Sequence, residues 1–316
     1  MPRAFVTGVT GQDGSYLADL LRAEGCEVVG LVRDPDTEPV PDGVATVAGD
    51  LLDAGALRAA ILEVAPDEIY HLAAPTFVPA SWEDPTETIA AIAGATAALL
   101  AAALAASERP RVWVSTSSEI FGDAGETPQH ERSPMRPRSP YGVAKLAAHG
   151  LVGALRGHHG LFACSGITYN HESPRRPLHF VTRKITRGAA AIALGLEDQL
   201  VLGDLGAVRD WSHAEDVMRA AVLALRAPEP DDYVIASGRG HTVRDLVAAA
   251  FARAGVDPGG RVRVDPAFVR APEPTTLIGD PSRARAVLGW EPRHSFEALV
   301  AQMVDADLAE LGARRL

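Results

Sequence analysis

The stretch FVTGVTGQDGSYLADLL, residues 5–21, decides the fold. A short β-branched run leads into Gly8, Gly11 and Gly14, and an amphipathic helical pattern follows. Glycines let the backbone turn tightly and approach a pyrophosphate, whose negative charge is favoured at a helix N-terminus. An ordinary strand-to-helix turn can have the same spacing. Because a strand precedes the turn and a helix and a second strand follow it, the stretch predicts dinucleotide binding.

The rest of the first half alternates short apolar runs with longer helical patterns. The apolar runs include EVVGLV, EIYHLAA and RVWVSTS. This alternation predicts an α/β fold, a Rossmann-type doubly wound parallel sheet covered by helices on both faces. After about residue 165, Pro- and Arg-rich loops become common. We therefore expect a dinucleotide-binding domain at 1–165, with a return segment near 205–235, and a smaller α/β domain at 166–316.

Composition limits the class of partner. Of 316 residues, 47% are apolar, which is enough for a substantial core. The formal charge of -11 argues against a hold on nucleic acid or an anionic membrane, because clustered Lys and Arg drive such binding. The start MPRAFVTG has no basic segment followed by an apolar one, so we expect a cytoplasmic protein.

Two further features argue for an ordinary packed core. Cys26 and Cys164 each lie within an apolar stretch, which indicates buried packing residues, and we expect no metal site. The Ala-rich run at 92–107 is shorter than the roughly 20 residues that span a bilayer. It predicts a well-packed helix, one that could also lie at a subunit contact.

The end of the second predicted strand bears on which dinucleotide binds. An NAD site usually has a carboxylate there for the ribose 2′-hydroxyl, whereas a 2′-phosphate favours Arg. The strand ends in Val32, and Arg33 and then Asp34 follow. This favours NADP over NAD; the alternative for Arg33 is a solvated strand end, and Asp34 would oppose a phosphate. Asp50, after the third strand, either meets the adenine or caps the next helix.

Five polar residues predict the chemistry. Ser117, Ser118 and Glu119 end an apolar run, and Tyr141 and Lys145 follow in YGVAK. On a helix the last two lie on one face, a turn apart. A nearby ammonium lowers the pKa of a phenol, so we expect the tyrosine to accept a proton near neutral pH.

These residues carry a resemblance to the extended short-chain dehydrogenase/reductases, and within them to the GDP-mannose 4,6-dehydratases. The matching motifs are GVTGQDGSYLA, PDEIYHLAA, SSEIFG, RSPYGVAKL, NHESPRRPLHFVTRKITR, RDWSHAEDV and DYVIASG. They cover nearly the whole chain. NHESPRR with FVTRKI is the most specific part. By this resemblance, 166–316 would bind the sugar nucleotide, a GDP-hexose.

The resemblance implies roles for the polar residues. Ser117 would hydrogen-bond the sugar O4, Tyr141 would remove the O4 proton, and Lys145 would hold the tyrosinate and the nicotinamide ribose. Hydride would pass from C4 to NADP⁺ and return at C6. Between these steps Glu119 would remove the C5 proton, and Ser118 would help water leave or act only as a capping hydroxyl.

The resemblance also implies the binding residues. The cofactor positions are Gly8, Thr10, Gly11, Gln12, Asp13, Gly14, Arg33, Asp50, Leu51, Leu72, Ala73, Tyr141 and Lys145. The substrate positions are Ser81, Asn170, Val181, Lys184, Arg209, Arg270 and Glu273. From charge alone, the cluster of Arg175, Arg176, Arg183, Lys184 and Arg187 suits a diphosphate or is a solvated helix face.

Departures from the family pattern keep alternatives open. Ser117 stands where these dehydratases have Thr, and Phe121 where they have Tyr. The loop APTFVPASWEDP, residues 74–85, resembles that of the GDP-4-keto-6-deoxymannose reductases. A 4-reductase or an epimerase is therefore the second hypothesis, and a catalytically silent dinucleotide sensor the third. The segment after the second strand is too short for the family's tetramer contact, so we expect a homodimer through the Ala-rich helix and the Tyr141 helix.

Overall fold

The computed structural model describes residues 1–268 and 275–313. Its strands are β1 (Arg3–Thr7), β2 (Glu27–Val32), β3 (Ala45–Ala48), β4 (Glu68–His71), β5 (Arg111–Ser115), β6 (Ala163–Thr168), β7 (Asn170–Glu172), β8 (Leu200–Leu202), β9 (Val208–His213), β10 (Asp232–Ile235), β11 (Gly240–Thr242) and β12 (Val262–Val264). Its α-helices are α1 (Gln12–Ala23), α2 (Ala54–Val64), α3 (Pro85–Ile89), α4 (Ala95–Ala105), α5 (Pro140–His159), α6 (Val181–Ala193), α7 (Ala214–Arg226), α8 (Val243–Ala254), α9 (Ser282–Leu288) and α10 (Phe296–Ala313).

Seven strands form one parallel sheet in the order β3-β2-β1-β4-β5-β6-β10. The order reverses between β1 and β4, which is where ligands bind in doubly wound folds. The predicted Rossmann-type sheet is confirmed.

Alternate residues of the strands supply two separate cores. In β1, Val6 faces a cluster with Leu17 of α1 and Val217 of α7. The neighbouring Phe5 faces the other side, with Leu57 of α2 among others. Successive strand side chains point to opposite faces, so both faces of this sheet are buried under helices. The rigid layer fixes where the strand ends lie.

A third core belongs to the second half of the chain. It packs α6, α8 and α10 around residues that include Ile185, Phe251 and Val304. Two small sheets accompany it, with the orders β11-β9-β7 and β12-β8. The chain returns to the large sheet through α7 and β10, within the predicted return segment. The division at residue 165, which falls inside β6, stays a prediction.

The Ala-rich helix is longer than its sequence suggests. With a π-helical turn at Ala90–Gly94, the helical segment runs from Pro85 to Ala105, 21 residues whose most apolar 18-residue window has mean hydropathy 2.0. By length and composition it could cross a membrane, so the expectation that this helix is too short to span a bilayer is wrong. Half of its most apolar window is buried, and it packs against α2 and α5. A core helix meets the same criteria, so this is weak evidence for a membrane span.

Candidate active site

The glycine-rich turn between β1 and α1 is shaped for close backbone approach. Gly8 has φ +77°, and a Cβ on Gly14 would lie 2.1 Å from the Gly8 carbonyl oxygen. Gly11 is the N-cap of α1 and has no side chain to cover the first N–H groups. Thr10 beside it is exposed. This cradle fits a pyrophosphate, as the sequence predicts.

Leu72 and Ala73 lie directly beside that turn. Their backbone N–H groups both donate to the Thr7 hydroxyl at 3.2 Å. A Cβ on Gly8 would come within 2.9 Å of the Ala73 nitrogen. These two predicted cofactor positions therefore form the wall facing Gly8.

Asp50 and Leu51 lie at the loop after β3. The Asp50 carboxylate is exposed and accepts the Leu52 N–H at 2.8 Å. It does not cap α2, which is the alternative that the sequence left open. Asp53 does so, by accepting from Gly55 N and Ala56 N at 2.9 Å each. The carboxylate of Asp50 thus shapes the loop next to the predicted adenine position.

The end of β2 carries an ion pair. The Arg33 guanidinium lies 3.6 Å from the Glu38 carboxylate, and its side chain is 78% exposed against 25% for Glu38. The same carboxylate accepts the backbone N–H groups of Arg33 and Asp34 at 2.8 and 3.2 Å. Glu38 thereby closes the segment at the predicted ribose position.

Tyr141 and Lys145 project from the first turns of α5, where Ser139 is the N-cap and accepts the Gly142 N–H. Both side chains are buried. The Lys145 Nζ donates to the Ser115 carbonyl at the end of β5 at 2.7 Å and lies 5.8 Å from the Tyr141 ring centroid. The helix therefore holds the pair against the carboxyl end of β5.

The titration of this pair differs from the sequence expectation. Burial lowers the pKa of Lys145 to about 8, with Asp13 acting in the opposite direction. Burial also raises the pKa of Tyr141; a hydrogen bond with Ser117 lowers it and the charge of Glu119 raises it further. The expected lowering of the phenol pKa is wrong for this structure, because loss of solvation outweighs the stabilising contacts.

Ser117, Ser118 and Glu119 form a tight turn at the end of β5. Ser117 caps the 3-10 helix Ser118–Ile120 by accepting the Glu119 N–H at 3.2 Å. Ser117 and Ser118 are buried, and Glu119 is half-buried. Because Ser117 and Glu119 both act on the pKa of Tyr141, the structure brings these three side chains together.

A network that the sequence did not predict joins the glycine-rich turn to β7. His171 Nε2 lies 2.8 Å from an Asp13 carboxylate oxygen, and His171 Nδ1 lies 2.6 Å from the Tyr169 carbonyl. Both partners are acceptors, so both ring nitrogens carry hydrogen and the imidazole is a cation. Gln12 adds a bond to the His171 carbonyl and accepts one from Ser173. The contacts of Asp13 and Gln12 with this strand and Ser173 join residues more than 150 positions apart, so no local pattern in the sequence predicts them.

The predicted substrate residues lie on several elements. Asn170 begins β7 opposite Trp211 of β9, two positions after Arg209. Val181 and Lys184 lie exposed in the first turns of α6. The buried Ser81 donates to the Val78 carbonyl at 2.7 Å, inside the 3-10 helix Val78–Trp82. Arg270 and Glu273 lie outside the described residues.

Asp210, which sequence reasoning passed over within RDWSHAEDV, fixes the strand that carries Arg209. Its buried carboxylate accepts the backbone N–H groups of Ser237, Gly238 and Gly279, and the Ser237 hydroxyl, at 2.6–3.2 Å. Burial raises the pKa of Asp210, while these hydrogen bonds act against the rise. The carboxylate thus ties β9 to the end of β10.

The predicted arginine cluster is divided among acidic partners. Arg175 pairs with Asp19 and Arg176 with Glu172. Arg183 pairs with Asp307 and Glu310 of α10, and Arg187 does the same. These four arginines therefore fasten helices and loops, and binding of a diphosphate by the cluster stays a prediction. Lys184 points away from the buried face of α6.

One group among the described residues has the composition of a metal site. Ligand atoms of His213, Glu215 and His294 lie within 4.8 Å of one another. The two imidazoles stack, with centroids 4.1 Å apart and planes at 23°. Imidazole lone pairs lie in the ring plane, so stacked rings do not aim them at a common ion. His213 Nδ1 also accepts the Glu215 N–H as the N-cap of α7, which indicates a capping role.

The family model that matches this chain and two of its relatives carry the same enzyme name. A family model described as GDP-mannose 4,6 dehydratase matches residues 5–303. A GDP-mannose 4,6-dehydratase of Vibrio cholerae is 40% identical, over 97% of this chain and 94% of that protein. Another of Sordaria araneosa is 40% identical over 96% of this chain, which spans only 61% of that longer protein.

Solved structures share the fold over nearly the full length. A UDP-glucose 4-epimerase of Thermus thermophilus, in complex with NAD, superposes with TM-score 0.84 at 30% identity, covering 96% of this chain and 98% of that one. RMD of Pseudomonas aeruginosa, complexed with NADPH, gives TM-score 0.84 at 26% identity, covering 98% and 100%.

The Asp13–His171 pair predicts a pH-dependent contribution to stability. The pKa of Asp13 is lowered from 3.8: burial raises it, but His171 and Gln12 outweigh burial. The pKa of His171 is raised from 6.5, since Asp13 outweighs burial. The Asp13 contribution is therefore present above pH 3.8 and lost in more acidic solution. The His171 contribution is complete below pH 6.5 and lost as the pH rises through the raised pKa.

We expect His171→Gln to lower the free energy of unfolding by about 2 kcal/mol near pH 5.5, because it leaves a largely buried carboxylate unpaired. The loss should shrink by pH 8.5. Urea titrations at both pH values measure it, with the exposed His158→Gln as the matched control. An equal loss at both pH values would contradict the ion-pair interpretation.

Proposed function

This chain belongs to the GDP-mannose 4,6-dehydratase family, and we propose that it is a hydro-lyase that converts GDP-mannose to GDP-4-keto-6-deoxymannose. One observation carries the proposal: a carboxylate, Glu119, stands beside the buried Tyr141 and Ser117 at the end of β5. A proton acceptor for O4 and a second base within the same small space are what a dehydration through a 4-keto sugar requires.

The cofactor that fits the β1–α1 cradle is a nicotinamide dinucleotide, and we propose NADP. Gly8, Gly11 and Gly14 would hold its pyrophosphate, and the exposed Arg33 would meet a 2′-phosphate. Lys145 would hold the nicotinamide ribose. When bound, the nicotinamide accepts a hydride and gives it back, so it is needed only in catalytic amounts.

The side chains divide the proton transfers. The Ser117 hydroxyl donates a hydrogen bond to the sugar O4, and the Tyr141 oxygen takes the O4 proton. The resulting ketone acidifies the hydrogen at C5, which the Glu119 carboxylate removes. Glu119 passes the C5 proton to the C6 hydroxyl, which leaves as water, and Ser118, buried in the same turn, hydrogen-bonds this departing group. Burial of all but Glu119 excludes water that would compete for these protons.

The substrate would lie across the small sheets. Asn170 and Arg209, on the adjacent strands β7 and β9, are within reach of one ligand. Lys184 and Val181 would approach the nucleoside diphosphate from α6, and Ser81 the hexose. We also assign Arg270 and Glu273 to this site, on the resemblance alone. Lys184 and Arg209 would supply positive charge for the diphosphate.

The test is incubation of the purified protein with GDP-mannose and trace NADP⁺, alongside UDP- and dTDP-glucose. We expect loss of one water from GDP-mannose and a new 6-methyl signal in the NMR spectrum, without net NADPH. Turnover of a 4-keto sugar with stoichiometric NADPH, and none of GDP-mannose, would establish the 4-reductase instead, which the loop at 74–85 favours.

Glu119→Gln separates dehydration from oxidation. The amide keeps the size of the side chain but cannot accept the C5 proton, so we expect kcat to fall at least about 100-fold. Exchange of the C5 hydrogen with solvent deuterium, followed by NMR, should fall with it. The exposed Glu108→Gln is the control. Full turnover in the Glu119 variant would disprove the assignment of this base.

We further propose a cytoplasmic homodimer. Ile89 of α3 and Val143 of α5 are 46% and 48% exposed on helices that pack side by side. A second copy would cover both. Light scattering should give twice the 33.2 kDa of one chain, and Ile89→Lys should give the monomer, whereas Leu196→Lys, at an equally exposed apolar residue, should not. A monomeric wild-type protein would disprove the dimer.

A further inference from the structure

The turn that follows β2 contains a carboxylate that no strand pattern predicts at the ribose position. Glu38 lies five residues beyond Arg33, yet it folds back onto the strand end. Its carboxylate accepts two backbone N–H groups, those of Arg33 and Asp34, and faces the Arg33 guanidinium at 3.6 Å. Three donors at the end of this strand thus converge on one acidic side chain.

Those three donors are the groups that a phosphate would use. A 2′-phosphate is held by Arg and by backbone N–H groups, and it carries nearly two negative charges. A ribose 2′-hydroxyl instead donates to a carboxylate at this place in the fold. Glu38 is the packed member of the pair, with 25% of its side chain exposed against 78% for Arg33. The guanidinium can therefore swing away more easily than the carboxylate.

The surrounding charge favours the hydroxyl. Asp34 and Asp36 are exposed in the same turn, and the Asp34 carboxylate accepts from Asp36 N at 3.0 Å and from the Thr37 hydroxyl at 2.7 Å. Between Arg33 and Glu38, residues 33–38 contain one cation and three carboxylates. A dianion placed there meets like charges that a hydroxyl does not meet.

We propose that Glu38 is a specificity-determining residue that competes with the 2′-phosphate for Arg33 and for the two backbone N–H groups, and offers an acceptor to a 2′-hydroxyl. Arg33 favours NADP and Glu38 opposes it, so Glu38 reduces the preference of the protein for NADP(H) over NAD(H). This rests on the proposed binding of a nicotinamide dinucleotide, and on no step of the dehydration.

The experiment measures dissociation constants for NADH and NADPH by nucleotide fluorescence, without substrate. Glu38→Gln keeps the length of the side chain and one side-chain oxygen that accepts hydrogen bonds, but it removes the negative charge. We expect NADPH to bind about tenfold more tightly to this variant, as removal of one close like charge predicts, with the NADH constant little changed. Asp42→Asn, at an exposed acid of the same loop, is the control for charge alone and should leave both constants within about twofold.

Three outcomes overturn the proposal. An unchanged ratio of the two constants in Glu38→Gln would remove Glu38 from cofactor discrimination. Equal effects of Glu38→Gln and Asp42→Asn would show that the negative charge of the loop acts without the contact between Glu38 and the strand end. Binding of neither dinucleotide to the wild-type protein would overturn both this inference and the proposed cofactor. Failure of dehydration alone, with both dinucleotides bound, would count only against the proposed function.

Discussion

The packing of the first turn of α1 onto the glycine-rich turn is the contact on which the site depends. A Cβ on Gly14 would lie 2.1 Å from the Gly8 oxygen and 2.5 Å from the Val9 Cα, so only glycine allows the helix to start there. That start points the helix N-terminus across the carboxyl end of the sheet. It also places Asp13 where His171 can reach it, which joins the cofactor side of the cleft to β7, the strand that contains Asn170.

Local pattern made the large sheet and the helix that carries Tyr141 and Lys145 predictable. The β-branched runs and the YxxxK spacing each report short-range geometry, and both were confirmed as elements: β1, β2, β4 and β5, and α5 with Tyr141 and Lys145 on one face. The partners of Arg175, Arg183 and Arg187 were not predictable, because they lie more than 100 residues away in sequence. Arg183 meets Asp307 across more than 120 residues, so no local pattern predicts that Arg183 and Arg187 fasten α6 to α10.

Burial explains the other failure of sequence reasoning. The spacing of Tyr141 and Lys145 gives their proximity but says nothing about solvent. In the structure the Lys145 ammonium is directed at the Ser115 carbonyl, and both side chains are buried. Loss of hydration penalises each charged form, so the pKa of the amine moves down and that of the phenol moves up. Proximity alone therefore does not activate the phenol.

The phenol of Tyr141 must lose its proton before it can accept one from O4. Contacts made when the cofactor and the substrate bind must therefore lower its pKa. Ser117 already lowers the pKa of the phenol, and Glu119 raises it. Loss of a proton from Tyr141 next to an ionised Glu119 puts two negative charges in one buried space, which is costly. A tyrosinate that takes up the O4 proton becomes neutral, which removes one of the two negative charges before Glu119 has to act. Oxidation at C4 then acidifies C5, and the Glu119 carboxylate accepts that proton. The close spacing of the two groups thus favours the order in which Tyr141 takes its proton first.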